Sequence, residues 1–169
     1  EFAGFFFQTP DTYGLVHNFK DIIEELKLQN PKSLFACHSD LMYMNYYDAP
    51  SKELFDFTFG NGGNVGIGLN YGGPQPAFLA ANKRFLRNLP GRIIGTSKDV
   101  RGQECFRMAL QTREQHIRRE TATSNICTSQ ALLANMSIAW AMLQGKDAIH
   151  KKAKYITDIN KYFDRQLHI

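Results

Sequence analysis

An acidic side chain follows a short apolar run in the first quarter of the sequence. Asp40 comes two residues after Ser33–His38, a segment that predicts a buried strand. A carboxylate at the carboxyl edge of a parallel sheet lies where α/β proteins form ligand sites. The same carboxylate can instead accept backbone hydrogen bonds at the start of a short helix over Asp40–Tyr47. The residues alone favour this capping role, and His38 and Asp40 remain candidates for a ligand site.

A glycine-rich loop, Gly60–Gly68, follows the alternating segment Phe55–Phe59. Backbone N–H groups in such a loop can bind a phosphate. No Gly-Lys-Ser/Thr sequence follows and no clear helix begins directly after it. The loop is therefore neither a P-loop nor a dinucleotide-binding fingerprint. The pattern favours a flexible or closely packed loop over a phosphate site.

A basic cluster lies in Thr112–Glu120, where the cations are Arg113, His116, Arg118 and Arg119. A ribonucleoprotein component binding RNA phosphates through Arg107–Arg119 is one hypothesis. Glu114 and Glu120 interleave with the cations, and no aromatic stacking platform lies beside them. Salt bridges at a helix start or a subunit surface are the favoured interpretation, so nucleic acid is not the expected partner.

Composition limits the remaining classes. A chain of 169 residues with 43% hydrophobic residues has enough apolar material for one packed domain. Its net charge of +4 is too small to indicate dedicated nucleic-acid binding. No window approaches the about 20 apolar residues of a membrane helix. The cysteines, Cys37, Cys105 and Cys127, lack metal-ligand spacing, so we expect reduced, mostly buried thiols and no metal site.

The elements that must position these residues follow from hydrophobic patterning. In the first half, strands alternate with helical segments, which is typical of right-handed crossovers in a mainly parallel sheet. The predicted strands are Ala3–Gln8, Ser33–His38, Phe55–Phe59 and Ala77–Ala81, and a helix is predicted over Val16–Leu28.

The second half has a different pattern. A brief helix over Lys83–Leu89 precedes two extended segments, Gly91–Ser97 and Cys105–Gln111. From Thr123 to Leu143 apolar residues cover most of a helix's circumference, so we expect that helix to be buried. Gly145 should end it. A last amphipathic helix is predicted over Asp147–Gln166, with its inner face marked by Ile149, Ala153, Ile156, Ile159, Tyr162 and Phe163.

Five ordered blocks of this chain resemble one family, the glycine decarboxylase (P-protein) of the glycine cleavage system. The most specific block is Ala109–Asn135, which is close to identical in pattern to a segment of the family's N-terminal half. NYGGPQPAFLA is similar to the family's GYGGPHAAFFA. The other blocks are Gly4–Gly14 (GFFFQTPDTYG), Asp40-Leu41-Met42 and Leu89–Ile94 (LPGRII).

The resemblance implies the aspartate-aminotransferase-like fold of pyridoxal-phosphate enzymes (fold type I). Residues 1–169 would form one partial large domain, with the βαβ sheet portion in residues 1–82 and extended segments and two C-terminal helices in residues 83–169. In such folds an aspartate after a strand meets the pyridine nitrogen, and the resemblance places Asp40 there. The Schiff-base lysine of the family's C-terminal half has its counterpart position here at Asn64.

An amide cannot replace that lysine, because the cofactor bond needs a nucleophilic amine. The family's N-terminal half usually reads S-Q-R-F-G around this position, whereas this chain reads Gly62-Gly63-Asn64-Val65-Gly66. The family also usually has lysine where Thr121 stands. We therefore expect no catalytic residue and no bound cofactor in this chain, and we regard Asp40 and Asn64 as vestigial positions.

Three functional hypotheses follow. The first is a non-catalytic P-protein-like structural subunit of a larger, mitochondrial (matrix-side) complex, in which other subunits cover the truncated sheet. The second is a split subunit or fragment of a working glycine dehydrogenase (aminomethyl-transferring), with the pyridoxal-phosphate lysine on a partner chain. The third is the RNA-binding hypothesis. Tyr43, Tyr46 and Tyr47 are candidates for a partner surface, with burial in the core as the alternative.

Overall fold

A computed structural model gives the structure of this chain and describes residues 2–111, 115–122 and 127–167. The chain divides into two compact units, one made of Glu1–Ala80 and Ser129–Ile169 and the other of Ala81–Thr128. The expectation of one partial domain over residues 1–169 stays a prediction. Within the described residues, no helix combines the length and apolar character needed to cross a membrane.

A four-stranded sheet forms the centre of the first unit. Its strands are β1 (Gly4–Gln8), β2 (Leu34–His38), β3 (Phe57–Asn61) and β4 (Ala77–Ala81). They lie in the order β1-β2-β3-β4. The pairs β1–β2 and β2–β3 are parallel, with Phe5 opposite Phe35 and Ala36 opposite Phe57. The predicted α/β architecture is therefore confirmed.

Strand β3 begins two residues later than the sequence pattern predicts. The reason is Asp56, a buried carboxylate whose Oδ2 accepts a hydrogen bond from the backbone N–H of Phe35 at 3.0 Å. The N–H of Asp56 in turn donates to the carbonyl of Phe35 at 2.8 Å. This reciprocal pair joins β2 to the residue just before β3, so the ladder proper begins at Phe57.

The helix α1 (Lys20–Gln29) also begins later than the predicted start at Val16. Asp11 organises the preceding residues, because its Oδ1 accepts from the backbone N–H groups of Tyr13 and Leu15. Asn18 then accepts from the backbone N–H of Lys20 at 3.0 Å. These side-chain bonds compete with helix formation until Lys20. The short helix predicted over Asp40–Tyr47 is a 3₁₀ turn at Tyr43–Asn45.

The core of the first unit lies between α1 and the sheet. Its buried members are Ile23, Phe35, Cys37 and Phe55. Phe5 stacks on Phe35 with ring centroids 5.3 Å apart, within the usual range for aromatic pairs. This apolar contact fixes the register in which β1 and β2 present their carboxyl ends.

The long helix α3 (Ala131–Leu167) is broken at Gly145, whose φ of 71° and ψ of 165° are not helical. The predicted end of a helix at this glycine is confirmed, and so is a second helix after it. Ala153 is buried and Ile149 is half-buried as predicted, but Ile156, Tyr162 and Phe163 are exposed. Ile159 is half-buried as well, so the second arm, residues 146–167, packs through part of its predicted inner face.

The part of α3 before the break, residues 131–144, is its first arm. The expectation that this arm is buried is wrong. Leu132 is 69% exposed and Leu143 is 85% exposed, while Leu133 and Trp140 on the other side are half-buried. Only one side of this arm meets the described residues of its unit, because burial requires a covering surface as well as apolar side chains. Ile126 and the predicted helix start at Thr123 lie outside the described residues.

The second unit contains an antiparallel pair, β5 (Arg92–Lys98) and β6 (Glu104–Gln111), close to the predicted extended segments. Asp99 forms the turn between them, since its Oδ1 accepts from the N–H groups of Arg101 and Gln103. The helix predicted over Lys83–Leu89 is a 3₁₀ turn at Lys83–Phe85. A short helix, α2 (Gln115–Arg118), and a 3₁₀ turn at Arg119–Thr121 follow β6.

Candidate functional site

Two side chains meet at the carboxyl ends of adjacent parallel strands. Asp40 lies just after β2, and Asn64 lies in the loop after β3. The carboxamide Nδ2 of Asn64 donates a hydrogen bond to Oδ2 of Asp40 at 2.8 Å. The structure therefore brings together the two positions that the sequence singled out, and it joins them directly.

The second oxygen of Asp40 is also occupied. Its Oδ1 accepts hydrogen bonds from the backbone N–H groups of Met42 at 2.8 Å and Tyr43 at 2.9 Å. This is the capping arrangement that the residue pattern favours. Asp40 thus caps the turn after β2 with one oxygen and holds the loop after β3 with the other.

The glycine-rich loop packs closely against its surroundings. A Cβ atom on Gly60 would lie 1.8 Å from the backbone oxygen of Ser39, so only glycine fits there. The N–H of Gly62 donates to Pro76 at 2.7 Å, and the N–H of Gly63 donates to Oδ1 of Asn61 at 2.6 Å. Because these N–H groups are already bonded within the chain, the loop is a packed connection and does not form a phosphate cradle.

The glycine loop also meets the first arm of α3. A Cβ atom on Gly66, where φ is +78°, would lie 2.5 Å from the side chain of Trp140. Glycine is therefore required at this position both by the backbone conformation and by the indole next to it.

His38 does not join Asp40 in a hydrogen-bonded pair. Its half-buried ring packs edge-on against Phe59, with centroids 5.8 Å apart. The backbone carbonyl of His38 accepts from the N–H of Thr9 at 3.0 Å, which continues the β1–β2 ladder. His38 thus has a packing role in the described structure.

The three tyrosines after Asp40 are half-buried. Tyr43 and Tyr47 stack with centroids 4.8 Å apart, and Tyr46 contacts the ring of His150 on α3 at 5.8 Å. His150 Nδ1 lies 2.6 Å from the carbonyl of Asn45. These contacts attach the second arm of α3 to the turn that Asp40 caps.

A polar pair that the sequence reading missed lies beside this turn. His17 Nε2 lies 2.7 Å from Oδ2 of Asp11, and the hydrogen bond from His17 lowers the pKa of Asp11 below its ordinary value. His17 lines a groove of about 340 Å³ together with Thr9, Tyr43 and Tyr47. The sequence signal that could have predicted this pair is an acid and an imidazole, Asp11 and His17, on either side of a turn at Gly14, whose φ is +78°.

The basic cluster is described only in part, because Arg113 and Glu114 lie outside the described residues and only the backbone of His116 is described. Arg118 and Arg119 are exposed in the second unit, beside the exposed Glu120. Thr121, at the position where the family usually has lysine, donates its hydroxyl to the carbonyl of Arg118 at 2.8 Å.

The thiols are free, and their burial differs from the expectation of mostly buried cysteines. Cys37 is fully buried, Cys105 is half-buried and Cys127 is exposed. Cys127 lies in an irregular segment before α3 that the core does not cover. Burial raises the pKa of the Cys37 thiol to about 11, so Cys37 is a poor nucleophile. Among the described residues no His, Cys, Asp or Glu group could hold a metal ion.

The residues at Asp40 and Asn64 do not fit a covalently held pyridoxal phosphate. The side chain at the expected lysine position is an amide, and it is bonded to the carboxylate that would meet the pyridine nitrogen. Both oxygens of that carboxylate already accept hydrogen bonds from this chain. None of the contacts that the described residues make with Asp40 or Asn64 comes from a lysine.

The parallel sheet and its helices define an α/β protein, and its fold class is that of the pyridoxal-phosphate-dependent transferases of fold type I. A solved structure confirms this class with a TM-score of 0.75 at 32% identity, over 86% of this chain and 33% of the other chain. That structure is of "glycine decarboxylase (P-protein) of the glycine cleavage system, in inhibitor-bound form". The family model "Glycine cleavage system P-protein" matches residues 1–169, so the chain belongs to the P-protein family.

Curated relatives agree with this assignment. The chain is 48% identical over 159 residues to "Glycine dehydrogenase (decarboxylating)" of Idiomarina loihiensis. The matched region covers 92% of this chain and 16% of the relative. It is 42% identical over 154 residues to "Glycine dehydrogenase (decarboxylating), mitochondrial" of Mus musculus, covering 91% of this chain and 15% of the relative. The chain thus spans about one sixth of the length of these relatives.

Proposed function

We propose that this chain serves as the cofactor-free, N-terminal-half portion of a glycine decarboxylase, and that the catalytic lysine lies outside it. The observation that carries the proposal is the hydrogen bond between Asn64 and Asp40 at 2.8 Å. An amide at the lysine position cannot act as the amine nucleophile that this chemistry requires. The family membership and the partial coverage of the relatives agree with a portion of a larger assembly.

On this proposal, the lysine-bearing polypeptide and this chain have different chemical roles. Pyridoxal phosphate, where a lysine-bearing polypeptide holds it, supplies an electron sink for the loss of the glycine carboxyl group. This chain contributes a rigid parallel sheet whose carboxyl edge is closed by its own side chains. Asp40 accepts three hydrogen bonds from this chain, so both of its oxygens already have partners. The expected role is therefore to support a neighbouring site.

Reconstitution tests this proposal. The chain would be combined with a glycine decarboxylase polypeptide that carries the lysine, and copurification would be measured alongside glycine-dependent exchange of carbon dioxide. We expect a stable complex whose exchange activity depends on the presence of this chain. The chain alone should show neither exchange nor the absorbance band of a lysine-bound cofactor. Exchange that is unaffected by removing this chain would contradict the proposal.

A second candidate is a non-catalytic accessory subunit of a larger complex. It is favoured by Gly63 and Asn64, which stand where the family's N-terminal half usually has a Gln-Arg pair, so that even these polar groups are missing from the loop. On this hypothesis the chain copurifies with other proteins, and glycine exchange in that complex is absent. The list of copurifying proteins distinguishes it from the first candidate.

We also propose a mitochondrial matrix location for this chain. The relatives from Mus musculus, Gallus gallus and Homo sapiens carry the word mitochondrial in their names, and they are 42% identical to it. Bacterial relatives have similar identity, so the proposal needs its own test. Fractionation of cells that express the native gene should place the protein in the mitochondrial matrix, and recovery in the cytosol would contradict this location.

A further inference from the structure

Two hydroxyl side chains lie buried side by side where strands β1 and β2 end. Thr9 directly follows β1 and is 7% exposed, and Ser39 directly follows β2 and is 1% exposed. Neither Oγ1 of Thr9 nor Oγ of Ser39 has a hydrogen-bond partner among the described residues. We call Thr9 and Ser39 the hydroxyl pair.

The strand register makes the two members of the hydroxyl pair neighbours. The last paired residues of β1 and β2 are Gln8 and His38, and the N–H of Thr9 donates to the carbonyl of His38 at 3.0 Å. On the other side, the N–H of Ser39 donates to the carbonyl of Phe59 at 2.9 Å. Adjacent strands of a sheet lie about 4.8 Å apart. The backbone therefore holds the two residues about one strand spacing from each other.

Both side chains also lie on the core face of the sheet. Side chains alternate between the two faces along a strand, so residues two positions apart share a face. Cys37, two residues before Ser39, is a buried member of the core, and Phe7, two residues before Thr9, packs against that core. The hydroxyl pair thus continues this face just beyond its last apolar side chains.

Two unpaired hydroxyls at such a position would destabilise the fold. A hydroxyl loses its hydrogen bonds to bulk water when it is buried, and only a new partner offsets that loss. The large majority of buried polar groups in native proteins accordingly bond to another protein group or to an ordered water. The hydroxyl pair therefore requires a partner that both oxygens can share.

The surroundings of the hydroxyl pair limit the chemistry of this partner. Both oxygens of the neighbouring Asp40 accept hydrogen bonds from other groups, and Oδ2 of Asp11 lies 2.7 Å from His17. An ion would lose its hydration here without gaining a free counter-charge. A water molecule is neutral, and it can donate to or accept from a hydroxyl, which is itself both donor and acceptor.

A path from solvent reaches the hydroxyl pair. Thr9 lines the groove of about 340 Å³ that His17, Tyr43 and Tyr47 also line. One internal water requires only about 10–15 Å³ of space for its centre, together with two to four polar partners. The groove therefore lets a single water molecule enter beside Thr9.

We propose that the hydroxyl pair binds one internal water molecule, which bridges Oγ1 of Thr9 and Oγ of Ser39. The water joins the end of β1 to the end of β2. On the other side of β2, the hydrogen bond between Asn64 and Asp40 joins the turn after β2 to the loop after β3. The carboxyl ends of three successive strands are then linked to one another, whichever polypeptide supplies the catalytic lysine.

Removal of each hydroxyl tests this bridge. Thr9→Val and Ser39→Ala remove one hydroxyl each while nearly preserving side-chain size, and a double variant removes both. Urea unfolding of the full chain would give the equilibrium constant for unfolding. We expect each single variant to raise this constant about 5-fold, because the water loses one of its partners. The double variant should raise it by less than about 10-fold, well below the product of about 25-fold, because both variants lose the same water.

Thr58→Val is the matched control, since Thr58 is a half-buried threonine on β3 of the same sheet. It should change the unfolding constant by less than about 2-fold. High-resolution crystal structures of the full chain give a direct readout. We expect an ordered water within hydrogen-bond distance of both oxygens in the wild type and in Thr9→Ser, which keeps the hydroxyl, and no water there in Thr9→Val.

Each of the other outcomes would overturn the proposed bridge. If either single variant is as stable as the wild type or more stable, that hydroxyl had no partner to lose. If the effects of the two single variants multiply fully in the double variant, each hydroxyl has a partner of its own. A wild-type crystal structure in which the two hydroxyls bond directly to each other, or in which no water lies between them, would rule out the water as well.

Discussion

The carboxamide of Asn64 donates a hydrogen bond of 2.8 Å to the carboxylate of Asp40, across 24 positions of the sequence and between the ends of two parallel strands. This bond joins a neutral amide donor to a carboxylate acceptor. It holds the glycine loop to the turn after β2, so its first consequence is for the stability of this edge of the sheet.

Replacing Asn64 with aspartate should destabilise the chain at neutral pH by about 1–2 kcal/mol, because two carboxylates would face each other at hydrogen-bond distance. The site is exposed, so solvent limits the repulsion. The penalty is present above the pH at which carboxyl groups ionise and should shrink as pH falls toward about 4. Urea unfolding of Asn64→Asp across this pH range measures it.

The matched control is Asn88→Asp, a change of the same charge at an exposed asparagine in the second unit. It should shift the free energy of unfolding by less than about 0.5 kcal/mol at any pH in this range. Equal pH dependence in the two variants would contradict the assigned contact between Asn64 and Asp40.

Gly60→Ala should be severely destabilising, by about 3 kcal/mol or more, because the added methyl group would lie 1.8 Å from the backbone oxygen of Ser39. Gly60 lies in β3 and Ser39 directly follows β2, and the N–H of Ser39 donates to the carbonyl of Phe59 at 2.9 Å, so neither backbone can move easily. Gly68→Ala is the control, since its Cβ would meet only Oδ1 of Asn70 at 3.6 Å. Chemical denaturation should show a large loss of unfolding free energy for Gly60→Ala and almost none for Gly68→Ala.

Asp56→Ala should cost about 2–3 kcal/mol of unfolding free energy, because it leaves the buried N–H of Phe35 without its partner. Asp56→Asn retains an acceptor oxygen at the same place, so its unfolding free energy should fall by less. Asp48→Ala, at an exposed aspartate, serves as a control for the removed charge. An alanine variant at position 56 that unfolds like the wild type would show that the β2–β3 junction does not need this carboxylate.

The thiol of Cys37 gives the fold a specific dependence on alkaline pH. Burial raises its pKa from 9.0 to about 11. Its contribution to stability is full below about pH 9 and is lost as pH rises toward 11, since the unfolded chain ionises first. The loss should reach about 2–3 kcal/mol. The Cys37→Ala variant should have a lower unfolding free energy at neutral pH. It should lack the additional fall in unfolding free energy that ionisation of the thiol causes at alkaline pH.

Thiol labelling gives a direct check on the same residue. In the native chain the exposed Cys127 should react first, the half-buried Cys105 more slowly, and Cys37 only after denaturant is added. Rapid native labelling of Cys37 would contradict its position in the core.

Much of the sheet could be predicted from the sequence, because short apolar runs between turn residues leave few alternatives. Ala77–Ala81 is a strand over the predicted residues, and Gly145 breaks the long helix where the pattern indicates. The start of α1 could not be predicted from hydrophobic periodicity, since the side chains of Asp11 and Asn18 decide it. Such local side-chain bonds compete with the helix without changing the apolar pattern.

The candidate site was predictable only in part. The residue pattern pointed to the capping role of Asp40, and the family resemblance singled out Asp40 and Asn64 as vestigial positions without predicting a bond between them. The structure shows the cap and, in addition, the hydrogen bond from Asn64 to the same carboxylate. The exposure of the first arm of α3 was not predictable, because the sequence of a helix determines how apolar it is but not what covers it.

The break at Gly145 divides α3 into two rods joined at a single residue. Helical hydrogen bonding does not run continuously through a residue with φ of 71°, so the two rods are separate helices. His150 attaches the second arm to the carbonyl of Asn45. Trp140 attaches the first arm to the glycine loop at Gly66, so each arm has its own anchor at the carboxyl edge of the sheet.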